Sequence, residues 1–414
     1  MAKGDGSITQ RGRGSWHVRI SAGFEPTTGK RRYVTATVRG TKADARRERD
    51  RLRAEVEGGL KVDAQNVALS EFTPIWADAK RTSGKIMEET LKGYLSVLKH
   101  AEELLGGVPL RKIDAPMVEA VCADVRAKGL SGTTSHNVHM LLKSVFNKAC
   151  DYGYATRNPC NKVDSPKANE PDRRSLTPQE ASRLLDRLDE SEEKAYRELA
   201  DKERRMLDRG KAFGRSYVKG VSSVSQTMAV RIGLATGARL SEVLALQWRC
   251  VDLESGQVSI CRALKKDGAL KEPKTAAGTR TASVDRKTVG HLARWKARQA
   301  AELAKFGIRQ TPETPVCCST TGGFINISNF ERWWRSFRDG NGFEGLRFHE
   351  LRHTQATLLL GSGVDVKTVQ ARLGHADASI TLNWYAHAMP GNDRQAADLL
   401  AAIMEHPEKA ARTA

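Results

Sequence analysis

No apolar run in the 414-residue sequence reaches the ~18 residues of a membrane span. Residues 1–14 (MAKGDGSITQRGRG) lack the apolar stretch of a secretory leader. Cysteine is sparse: the seven stand at 122, 150, 160, 250, 261, 317 and 318, with no C-x-x-C spacing. That excludes zinc ribbons and disulfide scaffolds and leaves reduced thiols in a cytoplasmic protein, the adjacent Cys317 and Cys318 reading as buried ones. There is no internal repeat, no low-complexity tract and no G-x-x-x-x-G-K-[ST] phosphate loop. Acidic residues are in deficit: 49 Asp and Glu stand against 68 Lys and Arg, a formal charge of +19 with a pI near 9.7. Such an excess implies a polyanionic partner, either nucleic acid or an anionic surface. With 39% hydrophobic and 28% charged residues the chain is globular, long enough for two or three domains.

Residues 1–59 hold 14 Lys or Arg against 7 Asp or Glu. Residues 15–21 alternate, with Trp16, Val18 and Ile20 on one face and His17 and Arg19 on the other, which is strand period. Residues 31–38 (RRYVTATV) are rich in β-formers, and 26–29 reads as the hairpin loop between the two strands. Thr41 is placed to cap a charged helix that ends at Gly58-Gly59. The basic density of this small sheet-and-helix unit (1–60) points to nucleic-acid contact.

Residues 68–162 read as a bundle of helices. Leu91, Tyr94, Leu95, Leu98 and Leu105 form one apolar stripe, and Val138, Leu141, Leu142, Val145 and Phe146 another. Glycines at 106, 107, 129 and 132 mark the breaks. Residues 161–174, with Pro166 and Pro171, lack periodicity and read as a linker. Thr177 with Pro178 and Glu180 opens the next helix. The segment 175–390 is mainly helical, with short strands at 257–264 and 279–284 and an insertion at about 189–222, charge-dense over 189–211, expected as an exposed helical one. A tail helix falls within 391–414; its Ala397, Leu399, Leu400, Ile403 and Met404 suit docking on a neighbouring copy or on its own domain. The fold class is thus mainly α with small β-sheets.

Within 175–390 five local features stand out. TGARLSEVLAL sets Arg239 just before a helix near Leu240. Lys274 sits in the turn EPKTAAGTR, with Lys265, Lys266 and Lys271 as rivals. HELRH spaces His349 and Arg352 for one helical face. LGH places His375 after a Gly374 cap, and NWYAH presents Tyr385.

These features, in this order, resemble the catalytic domain of the tyrosine recombinases, the phage integrase family, over residues 175–390. The helical segment is similar to that family's core-DNA-binding domain, and the N-terminal unit to the arm-binding domain of its longer members. The stretch at 189–222 makes the approach to Arg239 longer than is usual there. The resemblance implies a site-specific recombinase that joins DNA to Tyr385 as a 3′-phosphotyrosine. Because that bond conserves the phosphodiester energy, no cofactor is needed. Arg239 and Arg352 would grip the phosphoryl oxygens, His375 would add a donor, His349 would act as base toward Tyr385, and Lys274 would protonate the leaving 5′ oxygen. The chemistry suits the residue types: the transition state spreads negative charge that guanidiniums bind bidentately, and a phenol of pKa ~10 needs help to ionise. Implied partners are double-stranded DNA at attachment sites, three further copies in a tetramer, and an accessory excision or DNA-bending factor, with no membrane. The arm-like unit favours a phage or other mobile element over a Xer-like resolvase of chromosome dimers.

Two readings from other classes compete. His349-Glu350-Leu351-Arg352-His353 spells H-E-x-x-H, the zinc metalloprotease helix. The extended form would need Gly at 356 and His at 359, where the sequence has Ala356 and Leu359, and the next Glu is Glu405. The protease reading also leaves Arg239 and the +19 charge unexplained. The other is a DNA-binding protein without catalysis, against which the complete set of six residues argues.

Overall fold

The computed structural model describes residues 6–24, 29–57, 66–169, 174–209, 219–272, 279–319, 321–374, 401 and 404. The chain divides into two compact units, Met1–Pro171 and Asp172–Ala414. Among the described residues no helix is long and apolar enough to cross a membrane. All seven cysteines are free, and Cys317 and Cys318 are buried.

The first unit opens with strands β1 (Ser7–Gly12), β2 (Ser15–Phe24) and β3 (Arg31–Arg39) in an antiparallel sheet of that order, backed by helix α1 (Lys42–Glu57). Val18 and Ile20 of β2 bury with Val34, Ala45 and Leu52, and Trp16 packs against them. The alternation therefore sends Arg19 outward, where its guanidinium lies 3.6 Å over the Tyr33 ring. Thr41 caps α1 reciprocally with Asp44: its Oγ1 accepts from the Asp44 amide at 3.3 Å, and its own amide donates to the Asp44 carboxylate at 2.8 Å. The expected helix end at Gly58-Gly59 and the core of the hairpin loop at 26–28 lie outside the described residues.

Helices α2 (Leu69–Thr82), α3 (Glu88–Leu105), α4 (Ala115–Ala127) and α5 (Gly132–Asp151) then pack around Phe72, Trp76, Leu91, Leu98, Val121, Val138, Leu142 and Phe146. Each such side chain contributes about 1.5–3 kcal/mol on burial. Asp114 caps α4 and Ser131 caps α5, each accepting an amide hydrogen bond at 3.1 Å. The linker expected at 161–174 begins later than its composition suggests. Asn161 and Lys162 belong to a 3-10 turn, Val163 enters the core, and the Pro166 carbonyl meets His136 Nδ1 at 3.0 Å. The Asn169 amide donates to Thr133 Oγ1 at 3.1 Å. Polar side chains of α5 thus satisfy backbone groups that an aperiodic sequence leaves free.

The second unit runs through α6 (Pro178–Asp208), α7 (Lys219–Thr236), α8 (Leu240–Val243), β4 (Val251–Asp252), β5 (Gln257–Ile260), β6 (Ala263–Leu264), β7 (Leu270–Lys271), β8 (Arg280–Ser283), α9 (Arg286–Ala304), α10 (Ile327–Asp339), α11 (Phe348–Gly361) and α12 (Val366–Leu373). The antiparallel order is β4-β5-β8, with β6-β7 a separate hairpin, so the strand expected over 257–264 is split between two sheets. Thr177 and Glu180 form the capping box that starts α6.

The insertion expected at about 189–222 is helical as far as Asp208, but its expected exposure is corrected over its described part. α6 continues unbroken to Asp208, with Leu188, Ala195, Tyr196 and Leu199 buried. Those apolar positions keep helical spacing inside the charge-dense run. The charges themselves pair with α9: Glu193 with Arg294, Glu203 with Lys305 at 2.7 Å, Asp189 with Lys287 at 2.8 Å, and Glu192 with His291 at 3.1 Å. Mixed charge here signals a helix–helix seam rather than solvent. Residues 210–218 lie outside the described residues.

Candidate active site

The site is assembled at the C-terminal end of α7. That helix stops at Thr236, Gly237 takes φ +64°, and Arg239 becomes the N-cap of α8. The Arg239 amide and its Nη1 donate to the two oxygens of Glu242, each at 2.9 Å. The Arg239 side chain is 45% exposed while Glu242 is buried, so a fixed carboxylate aims a solvent-facing guanidinium.

α11 crosses α7 closely because Gly233 has no side chain: a Cβ there would lie 2.5 Å from Phe348 Cζ. This brings Arg352 under the end of α7, where its Nη1 donates to the Gly237 carbonyl at 2.8 Å. Gln355 Nε2 donates to the Leu234 and Ala235 carbonyls at 3.0 and 2.7 Å, and Arg372 of α12 donates to Ala235 at 2.6 Å. The carbonyls that a helix end leaves orphaned are thereby satisfied, and the negative end of the α7 dipole offsets the buried cations.

Gly237 is required twice over. Its positive φ disfavours other residues, and a Cβ would stand 2.4 Å from both Gln355 Oε1 and Leu373 Cδ2. Gly237→Ala is expected to destabilise the protein by about 2–5 kcal/mol, combining backbone strain with overpacking. Urea denaturation checks this, and an unchanged midpoint would refute it.

Arg352 is 1% exposed, and its Nη2 is buried with no hydrogen-bond partner among the described residues. Burial first, then Arg239 and Arg280, push its pKa down to about 9 against the opposing pull of Glu242. The guanidinium stays charged at neutral pH. His349 shows an exposed edge, yet the protein packed about it, followed by Arg352, Arg239 and Arg347, lowers its pKa, with Glu350 opposing. At neutral pH the ring is therefore neutral and able to accept a proton.

The H-E-x-x-H helix is put to a different use. Glu350 is buried and accepts from the Arg347 amide at 2.6 Å and from Arg347 Nε at 2.9 Å, closing the α11 capping box. The His349 and His353 rings meet edge-on with centroids 5.0 Å apart. Among the described residues no three His, Cys, Asp or Glu side chains converge to hold a metal.

Of the six expected residues, the structure brings Arg239, His349 and Arg352 together. Lys274, His375 and Tyr385 lie outside the described residues. The chain approaches two of them from described ends: β7 stops at Lys271 and β8 starts at Arg280, while Gly374, with φ +67°, closes α12 one residue before His375.

Sequence reasoning overlooked Arg280, whose Nη2 donates to Glu242 at 2.8 Å. Burial works to raise the Glu242 pKa, but Arg280 and then Arg239 outweigh it and hold the carboxyl below its usual range. The signal was present in β8: Arg280 and Ala282 face inward and Thr281 and Ser283 outward. A cation at an inward strand position calls for a buried anion.

The phage integrase family matches residues 211–391, and the phage integrase SAM-like domain matches residues 72–163, together more than half of the chain. A tyrosine recombinase XerC-like protein of Caldanaerobacter subterraneus subsp. tengcongensis is 26% identical over 384 residues, covering 87% of this chain and 89% of its own. The ICEBs1 integrase of Bacillus subtilis is 24% identical over 398 residues, covering 95% of this chain and 99% of its own. Among solved structures, the Tn1549 transposon integrase in complex with transposon right end DNA superposes with a TM-score of 0.60 at 23% identity, over 80% of this chain and 99% of that one. The chain belongs to the phage integrase family and is a tyrosine-type site-specific recombinase.

Proposed function

We propose that this recombinase integrates and excises a phage or other mobile element, cleaving DNA at attachment sites through a 3′-phosphotyrosine intermediate. The observation that carries the reading is Arg352: a buried guanidinium whose Nη2 has no partner among the described residues, beside Arg239 and Arg280, whose positive charge Glu242 alone does not balance among those residues. An unpaired buried donor costs about 1–3 kcal/mol, and more when charged. A phosphoryl oxygen would satisfy it and neutralise the cluster.

In this mechanism Arg239 and Arg352 hold the non-bridging oxygens of the scissile phosphate, and His375 adds a donor. Tyr385 attacks phosphorus, the neutral His349 takes its proton, and Lys274 protonates the departing 5′ oxygen, which leaves as a hydroxyl. The second strand's 5′ hydroxyl then attacks the phosphotyrosine and restores the phosphodiester, so neither a nucleotide nor a metal is consumed. Four strands are cut in one recombination event, which calls for a tetramer on two duplexes. Residues 1–60 serve as the arm-DNA-binding unit, 68–162 as the core-DNA-binding domain and 175–390 as the catalytic domain. The likeness to a relative named ICEBs1 integrase and to a transposon integrase supports a mobile element. The basic sheet unit supports it over a resolvase of chromosome dimers. The enzyme would act in the cytoplasm, on the nucleoid, and an accessory excision or bending factor would set direction.

The test is incubation with nicked duplexes drawn from DNA flanking the gene, in excess chelator and without nucleotide, followed by denaturing electrophoresis. A covalent protein–DNA adduct is expected. Its dependence on added zinc would overturn the mechanism in favour of metal chemistry. Binding should also weaken steeply with salt, log K falling with log salt by about 0.9 for each phosphate contacted. A flat salt response in gel shift would contradict phosphate-dominated binding.

A further inference from the structure

Arg280 is 9% exposed and spans two elements of the site with a single guanidinium. Its Nη2 donates to Glu242 Oε2 at 2.8 Å, and its Nε donates to the Arg372 carbonyl at 3.0 Å. The other Glu242 oxygen receives Arg239 Nη1 at 2.9 Å. Arg280 therefore stands behind the carboxylate that aims Arg239, and it also ties down the last turn of α12, three residues before His375 in sequence. Stability alone gives no reason for this arrangement, since a buried ion pair contributes little beyond well-packed apolar side chains. Arg352 and Arg239 already crowd the same region with positive charge. What Arg280 supplies is direction: a planar fork fixes the orientation of Glu242 in a way that a point charge does not.

We propose that Arg280 is a positioning residue for strand cleavage, acting through Glu242 to aim Arg239 and through the Arg372 carbonyl to seat the end of α12. The inference rests on the reading of Arg239 as a phosphate-binding residue. Loss of the fork leaves the Arg239 guanidinium free to wander by an ångström or more, and a misplacement of that size costs about 10²-fold in rate.

The experiment measures single-turnover cleavage of nicked duplex, DNA affinity and thermal melting for Arg280→Met, Glu242→Gln, the double variant and Arg239→Lys. Arg280→Met is expected to cleave about 10²-fold more slowly at unchanged DNA affinity. The pH profile gives a readout that mere packing would not move. Glu242 is faced by Arg239 from its own helix, Arg280 from β8 and Arg352 from α11. Removing Arg280 lets burial raise the Glu242 pKa, so the deficit of Arg280→Met deepens as pH falls. The double variant, which has no carboxylate to titrate, stays slow without that added pH dependence. Because it removes one charge of each sign and leaves the net charge of the cluster unchanged, it also keeps the question answerable if Arg280→Met fails to fold. Wild-type cleavage by Arg280→Met, or recovery of the wild-type rate in the double variant, would overturn the proposal. So would a pH-independent ratio of Arg280→Met to wild type. Arg239→Lys separates the two levels: if it too cleaves normally, the phosphate-binding assignment fails; if it is slow while Arg280→Met is normal, only this inference falls.

Discussion

Tyr385→Phe is expected to abolish the covalent protein–DNA adduct entirely while leaving gel-shift affinity at the wild-type level. The substitution removes one oxygen and preserves the ring, so on the proposed mechanism it takes away the attacking group alone. On the same proposal binding affinity would come from Lys and Arg contacts to phosphates, which the change does not alter. The loss should exceed that of any other substitution, because the remaining residues assist an attack that no longer has an attacker. Tyr196, a tyrosine of the same unit, makes a stringent control. Its hydroxyl is buried and without a hydrogen-bond partner among the described residues. Burial, then Glu192, push its pKa well up, so it neither reaches a phosphate nor ionises. Tyr196→Phe should form adduct normally. Residual adduct in Tyr385→Phe would mean that another nucleophile carries the reaction and would refute the assignment.

What could be read from the sequence divides along physical lines. Helix starts at Thr41 and Thr177 were legible because a hydroxyl and a carboxylate three residues on is a local signal, complete within one turn. The face of β2 was legible because its period-2 alternation survives in Val18 and Ile20. β1 was not: SITQRG holds Ile8 as its sole large apolar residue, and the strand exists because its backbone completes the exposed edge of β2. The exposure of the C-terminal half of α6 was misjudged because charge density masked Ala195 and Leu199, which join the core of the unit, and because the charges find their partners near α9, about a hundred residues away.

The same distinction applies within the site. Arg239 and Arg352 carry local contexts that mark them, TGARLSEV and HELRH. Their mutual arrangement depends on Gly233 and Gly237, whose missing side chains admit Phe348 and Gln355. Arg280 has meaning only once Glu242 and the Arg372 carbonyl are placed around it. Sequence identifies the groups that do chemistry more readily than those that orient them, since orientation is a property of tertiary contacts.

Arg352→Lys shows how far burial alters the consequence of a conservative change. The guanidinium divides its donors: one holds the Gly237 carbonyl, and Nη2, without a partner among the described residues, is the one proposed to meet a phosphoryl oxygen. An ammonium on a flexible stem does not reproduce that fork. It would also sit in the environment that already pushes the guanidinium down to about 9, with burial dominant and Arg239 and Arg280 adding to it. A lysine starts about two units below an arginine, so the same environment leaves much of it neutral at neutral pH. Cleavage is therefore expected to fall by about 10³-fold, the scale of losing one pre-organised charge donor to the transition state. The sign with pH follows. Lowering the pH restores the charge, so the ratio of variant to wild-type rate should rise as pH falls, opposite to the trend for Arg280→Met. Because Arg352 itself helps to lower the His349 pKa, the ratio is read above about pH 7, where the imidazole is neutral in both proteins. Single-turnover cleavage of the nicked duplex at a series of pH values, with urea denaturation to verify folding, decides the matter. A variant that cleaves within about tenfold of wild type, or a ratio indifferent to pH, would show that Arg352 holds the α7–α11 junction together without gripping the phosphate.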